Sequence, residues 1–194
     1  DAAGLKKPDI SILSDEFLSE VRDMEKKNIA MELLKKIIND EIRIRIRKNF
    51  IHGKKLSEML ENTIRKYQNN LLTTVQVIEE LINIAKQIRE SNKRGDDLGL
   101  NEDELAFYDA LASNENAKEV LGDKQLATIA VEVLKSVRGN ATIDWTLKES
   151  VRARLRRDVK RILNRYGYPP DQQLMATENV VKQAELIADD LNNQ

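Results

Sequence analysis

Pro8-Asp9 followed by Glu25-Lys26-Lys27 formally matches a nuclease pattern in which two carboxylates hold a hard divalent cation and a lysine positions water. That chemistry needs rigid strands to aim its groups. Here Glu25–Lys27 lies in charged, helix-forming sequence and Pro8-Asp9 in an aperiodic opening segment, so the match reads as coincidence. His52 is the sole histidine and there is no cysteine. A His cluster for zinc, a thiolate metal site, a disulfide and a second triad histidine are all excluded. Beside Gly53, His52 reads as a loop or cap residue. No GxxxxGK[ST] cradle and no GxGxxG after a strand is present, so no catalytic, metal-binding or cofactor-binding residue is expected.

The chemistry that remains is cationic. Lys148–Arg165 carries eight Lys or Arg against Glu149 and Asp158. Arg154, Arg157, Arg161 and Arg165 share one rough helical face, and Arg152, Arg156 and Lys160 another. A second basic run, Arg43–Lys55, holds six bases and no acid, with Arg43, Arg45 and Arg47 at its start. The acidic counterpart is Gln76–Asp123, with twelve acids against five bases. Three readings of the arginines stay open: a solvated face paired to that acidic region, contact with duplex DNA phosphates, or an acidic protein surface. Neither Asn nor Gln stands where a recognition helix would read bases, so specific base readout is not expected.

The helix bearing these arginines is well punctuated. Asp144 or Thr146 can cap it, Thr146 with Glu149 has capping-box spacing, and Leu147, Val151, Leu155, Val159, Ile162 and Tyr166 form its apolar stripe. Gly167, then Pro169 and Pro170, stop it. Trp145, just ahead, reads as a residue packing on the first turn, with an interface anchor as the alternative. Tyr166, Tyr168 and the two prolines read as a rigid corner, with recognition as the alternative, before a last helix from Asp171 that turns Leu174, Val180, Val181, Ala184, Ile187 and Leu191 inward.

Upstream, residues 1–13 read as an opening segment or linker. A lobe over 14–90 begins with a helix capped by Ser14, burying Phe17, Leu18, Val21 and Met24. Asn28 caps the next, with Ile29, Leu33, Leu34, Ile37, Ile38 and Ile42 inward. Ile42–Arg47 alternates like a strand, yet Ile38, Ile42 and Ile46 continue the helix at i+4, so helix is predicted. From Lys54 to Glu90 one face runs through Leu56, Leu60, Ile64, Tyr67, Leu71, Val75, Ile78, Ile82 and Ala85, broken at Asn69-Asn70. Residues 91–100 read as a loop between lobes. The lobe over 101–194 opens with the Asn101–Glu104 capping box, followed by Phe107, Tyr108 and Leu111. A short helix then stops at Gly122, and one from Asp123 carries Leu126, Ile129, Ala130, Val133, Leu134 and Val137.

The resulting fold class is an all-α bundle of eight or nine helices, in one body or in two lobes. The 194 residues, 34% charged and only 4% aromatic, suit that class better than a β sandwich. No apolar run approaches a membrane span and no signal-peptide pattern opens the chain. Together with the missing cysteines, this points to the cytoplasm. The start at Asp1 without Met suggests a fragment or a processed chain.

TIDWTLKESVRARLRRDVKRILNRYGYPPD resembles the C-terminal helical region of the restriction (R) subunit of type I restriction–modification enzymes. So do SILSDEFL, LSEMLENTIRKYQNNLLTTVQVIEELINIAKQIRE, and LGLNEDELAFYDALA with NENAKEVLGD. The resemblance implies a nuclease domain and two RecA-like motor lobes upstream, where ATP and Mg would bind. It also implies a non-catalytic assembly module docking an ATP-dependent DNA translocase and endonuclease onto methyltransferase and specificity subunits. The alternative is a module that binds DNA backbone without sequence preference and guides duplex past the motor.

Overall fold

A computed structural model describes residues 13–91, 93–140 and 149–192, and among these every regular element is helical. The elements are α1 (Asp15–Asp23), α2 (Lys27–Lys48), α3 (Phe50–Gln68), α4 (Thr74–Ser91), α5 (Arg94–Leu98), α6 (Glu102–Ala112), α7 (Glu115–Asn140), α8 (Glu149–Arg165) and α9 (Gln173–Asn192). The all-α expectation holds among the described residues. The Ile42–Arg47 alternation lies wholly within α2, so the i+4 continuity of its isoleucines outweighs the period of two.

The chain divides into two compact units, one from Asp1–Ile44 with Lys54–Lys93, the other from Arg45–Gly53 with Arg94–Gln194. A single boundary at residues 91–100 does not describe this, because the α2–α3 corner belongs with the second unit. The 91–100 stretch is not all loop either. It contains α5, whose end is closed by bonds from Gly99 N to Asp96 O and from Leu100 N to Gly95 O.

In the first unit, Ser14 caps α1 by accepting the Phe17 N–H at 3.2 Å. Leu18 and Val21 of α1, Leu34, Ile38 and Ile42 of α2, Leu56 of α3, and Ile78, Leu81 and Ile82 of α4 are buried. Arg22–Glu79 at 3.0 Å and Arg89–Asp15 at 2.9 Å tie α1 to α4. The Arg89 guanidinium holds the Asp15 carboxyl below its ordinary pKa by hydrogen bonding. Asn70 takes a left-handed φ of 56° and ends α3, and Thr73 with Gln76 starts α4, where the predicted break lies.

Three expectations for this unit need correction. α2 begins at Lys27, so Asn28 is inside the helix rather than its cap. Ile29 and Leu33 are exposed, because the buried row of α2 follows Leu34, Ile38 and Ile42 instead. Leu71 and Val75, expected on the buried face, are exposed beside the Asn70 turn. Thr63 takes a buried place on α3, donating to Glu80 Oε2 at 2.7 Å.

In the second unit, α6, α7, α8 and α9 share one apolar core built on Phe107, Leu111, Leu126, Ile129, Val133, Leu155, Val159, Leu163, Val180 and Ala184. The Asn101–Glu104 capping box starts α6. Gly122 (φ 72°, ψ 165°) interrupts α7 where the sequence places a stop. Tyr108 donates to Asp123 Oδ1 at 2.7 Å across that break. Burial and this bond raise the phenol's pKa, and the bond lowers that of Asp123.

The α2–α3 corner is fixed by polar groups. Asn49 Oδ1 accepts the His52 N–H at 3.1 Å, and its Nδ2 donates to Asp109 at 2.7 Å. His52 is therefore a first-turn residue of α3, and the cap is Asn49. Asp109, mostly buried, also accepts from Arg94. Gln183 of α9 accepts the Phe50 N–H at 2.9 Å and donates to the Lys48 carbonyl at 2.8 Å. Gly53 allows the two helices to touch, since a Cβ there would sit 2.7 Å from the Ile46 backbone.

Candidate partner-binding groove

α8 is held in register by its buried stripe and by its C-terminal stop. Leu155, Val159, Ile162 and Leu163 are buried, with Val151 and Tyr166 half-buried beside them. Gly167, at φ 69°, completes a paired closure in which its N–H reaches Asn164 O and the Tyr168 N–H reaches Leu163 O at 2.9 Å. Gln125 of α7 donates to the Tyr166 carbonyl at 2.7 Å, satisfying another terminal acceptor. Tyr168 itself is buried and donates to Leu111 O at 2.7 Å. Burial pushes its phenol up to about 12.

With the helix so fixed, its arginines separate into two rows. Arg152 and Arg156 turn toward α9. Arg152 pairs with Glu185 at 3.2 Å, and Arg156 with Glu178 at 3.0 Å and Glu149 at 3.1 Å. The hydrogen bond to Glu178 raises the Arg156 pKa. Arg154, Arg157, Arg161 and Arg165 lie on the other side, facing α7 across an open groove of about 730 Å³. Its α7 wall is Glu132, Lys135 and Ser136, and its apolar floor is Ile162.

The groove is cationic but orders its own cations. Five bases and two acids line it. Asp158 lies 3.5 Å from Arg161 and 4.0 Å from Arg154, and Glu132 bonds Arg165 at 2.5 Å. Glu132 also hydrogen-bonds the Tyr166 hydroxyl, which raises the Tyr166 pKa. Each guanidinium has five donors, so one carboxylate leaves several free. Arg157 is exposed and makes no ion pair among the described residues, and neither does Lys160. Such exposed pairs add little stability; their effect is to orient side chains.

The α8 arginines pair within their own helix, with α7 and with α9, and none of those partners lies in the acidic stretch 76–123. The other basic candidates are not in the groove. Arg43 is exposed in the first unit, Arg47 is exposed in the second, and Arg45 is half-buried and already engaged. Sequence reasoning did not single out Glu132, Lys135 and Ser136. Their i, i+3, i+4 spacing marks a shared face of α7, but nothing local shows that this face meets α8. Trp145, Asp144, Thr146, Leu147 and Pro8-Asp9 lie outside the described residues.

Glu25 lies in the turn between α1 and α2. Among the described residues no three His, Asp or Glu are grouped to hold a metal, and no helix is long and apolar enough to cross a membrane.

A family described as type I restriction enzyme HindI endonuclease subunit-like, C-terminal, matches residues 1–190. The type I restriction enzyme HindI endonuclease subunit of Haemophilus influenzae is 40% identical over 184 residues, 95% of this chain and 17% of that protein. A Methanocaldococcus jannaschii protein provisionally named the type I restriction enzyme MjaIXP endonuclease subunit is 43% identical over 163 residues, 84% of this chain and 16% of that protein. No solved structure matches. This chain spans about a sixth of each relative's length, and it belongs to the family of C-terminal regions of HindI-like type I restriction endonuclease subunits.

Proposed function

We propose that this chain is a non-catalytic assembly module of a type I restriction endonuclease subunit. It docks the subunit, an ATP-dependent DNA translocase and nuclease, onto a cytoplasmic methyltransferase–specificity core. ATP and Mg would bind elsewhere in the subunit. The observation that carries this reading is the outward arginine row of α8, which a four-helix core holds rigid beside an open groove. Arg154, Arg161 and Arg165, already oriented by Asp158 and Glu132, lose little freedom on meeting an acidic surface. Opposite charges there set register and speed encounter. Core binding by the complete subunit, measured with and without DNA, is the test. A subunit that fails to bind the core would contradict the reading.

The groove's excess of cations favours a second reading, in which it contacts DNA backbone without sequence preference. Salt separates the two. Phosphate binding releases counterions and so falls steeply as salt is raised, with a slope near −0.9 per phosphate contact on a log–log plot. Docking supported by apolar contact falls much less.

A further inference from the structure

α2 carries more apolar surface than its fold uses. Leu34, Ile38 and Ile42 are buried on one side. Ile29 and Leu33 turn away from them at 52% and 38% exposure, Ile44 is 38% exposed, and Ile37 is half-buried. At about 100° per residue, Ile29, Leu33, Ile37 and Ile44 fall within about 80° of one another, well off the buried row. The stripe is about 22 Å long, or four turns. Isoleucine is a weaker helix former than Lys or Glu, and exposing it lowers solubility. Packing among the described residues of this unit gives no reason for it.

The surroundings indicate what would cover the stripe. Lys26, Lys36 and Arg43 flank it, exposed and without an ion pair among the described residues. Asp40 is the one acid along its centre, and Glu32 at its margin is engaged by Lys35 at 3.4 Å. Across Lys27–Lys48 there are seven bases and three acids. A second copy laid on this face would set cations against cations, which opposes association. A nucleic acid backbone would answer the charges but not the isoleucines. An amphipathic helix with an apolar edge and Asp or Glu on its flanks answers both.

We propose that the Ile29–Leu33–Ile37–Ile44 face of α2 docks an acidic amphipathic helix of a partner protein. The choice of probe, the purified methyltransferase–specificity core, rests on the assembly reading above. The test measures core affinity for the complete endonuclease subunit carrying Leu33→Glu, or Lys36→Glu with Arg43→Glu. Thermal melting serves as the control for folding. Weakening of at least tenfold for Leu33→Glu and at least fivefold for the charge pair, with unchanged melting, is the expected result. Normal affinity in the folded charge-pair variant overturns the proposal, even if Leu33→Glu misfolds. Arg157→Glu with Arg161→Glu, run in parallel, keeps the two readings apart. Loss there with normal α2 variants removes this proposal and leaves the assembly reading. Loss only in the α2 variants upholds it against the arginine row. Failure of the unmodified subunit to bind the core removes both. If the variants instead lose only self-association, or only binding to phosphatidylglycerol vesicles, the acidic-helix occupant is wrong.

Discussion

Gln183→Leu should destabilise the second unit out of proportion to its small change in volume. The side chain is fully buried on α9. Its amide oxygen accepts the Phe50 N–H at 2.9 Å and its amide nitrogen donates to the Lys48 carbonyl at 2.8 Å. Both are end groups that helix geometry leaves without partners: the carbonyl ends α2 and the N–H begins α3. Leucine keeps the bulk and removes both bonds. An unsatisfied buried donor or acceptor costs about 1–3 kcal/mol. The better burial of leucine, at about 25 cal/mol per Å², offsets part of two such losses. A net loss of about 2–3 kcal/mol follows. Urea unfolding followed by circular dichroism reads it as a lower midpoint at unchanged slope. A loss under about 0.5 kcal/mol, the size of an ordinary surface change, would show that the corner does not depend on Gln183.

Two more stability predictions come from the same core. Leu155 is completely buried mid-stripe on α8, so Leu155→Ala should cost about 2–5 kcal/mol by denaturant unfolding, whereas Arg161→Ala at 65% side-chain exposure should change stability by under about 0.5 kcal/mol. Tyr168 gives a pH dependence: its phenol is pushed up to about 12 from an ordinary value of 10, so folding favours the protonated form. That stability is fully present below pH 10 and is lost as pH rises toward 12. Alkaline titration of the unfolding free energy should show a fall across this window to which Tyr168 contributes about 2–3 kcal/mol, the share that Tyr168→Phe removes. A flat profile would refute the assignment. Tyr108, also raised, adds to the same fall.

The fold was legible where one local rule decides the outcome. Ser14, Asn101 with Glu104, and Gly167 each mark a helix end through short-range bonds, and all three act as their spacing implies. Ile42–Arg47 was legible because a helical row passes through it and the sequence offers no strand to pair with it. Burial was less legible on α2, where Ile29–Leu33 and Leu34–Ile38 are competing i, i+4 pairs. Only tertiary packing decides which faces inward. The α2–α3 corner was hidden for the same reason. Asn49, Asp109 and Gln183 lie far apart in the chain, and no pattern links them. The two arginine rows were visible from helical spacing alone. That one row meets α9 carboxylates and the other an α7 groove requires the packed structure.

The central claim, that the arginine row of α8 docks the subunit, is tested most directly by Arg157→Glu with Arg161→Glu in the complete subunit. Both positions are exposed, so melting should be unchanged while the surface charge shifts by four units. Affinity for the methyltransferase–specificity core, measured without DNA, should fall at least a hundredfold, since wrong-sign contacts cost several kcal/mol. Normal core affinity in the folded variant, with DNA binding weakened and its salt slope flattened, would contradict the account and assign the groove to phosphate.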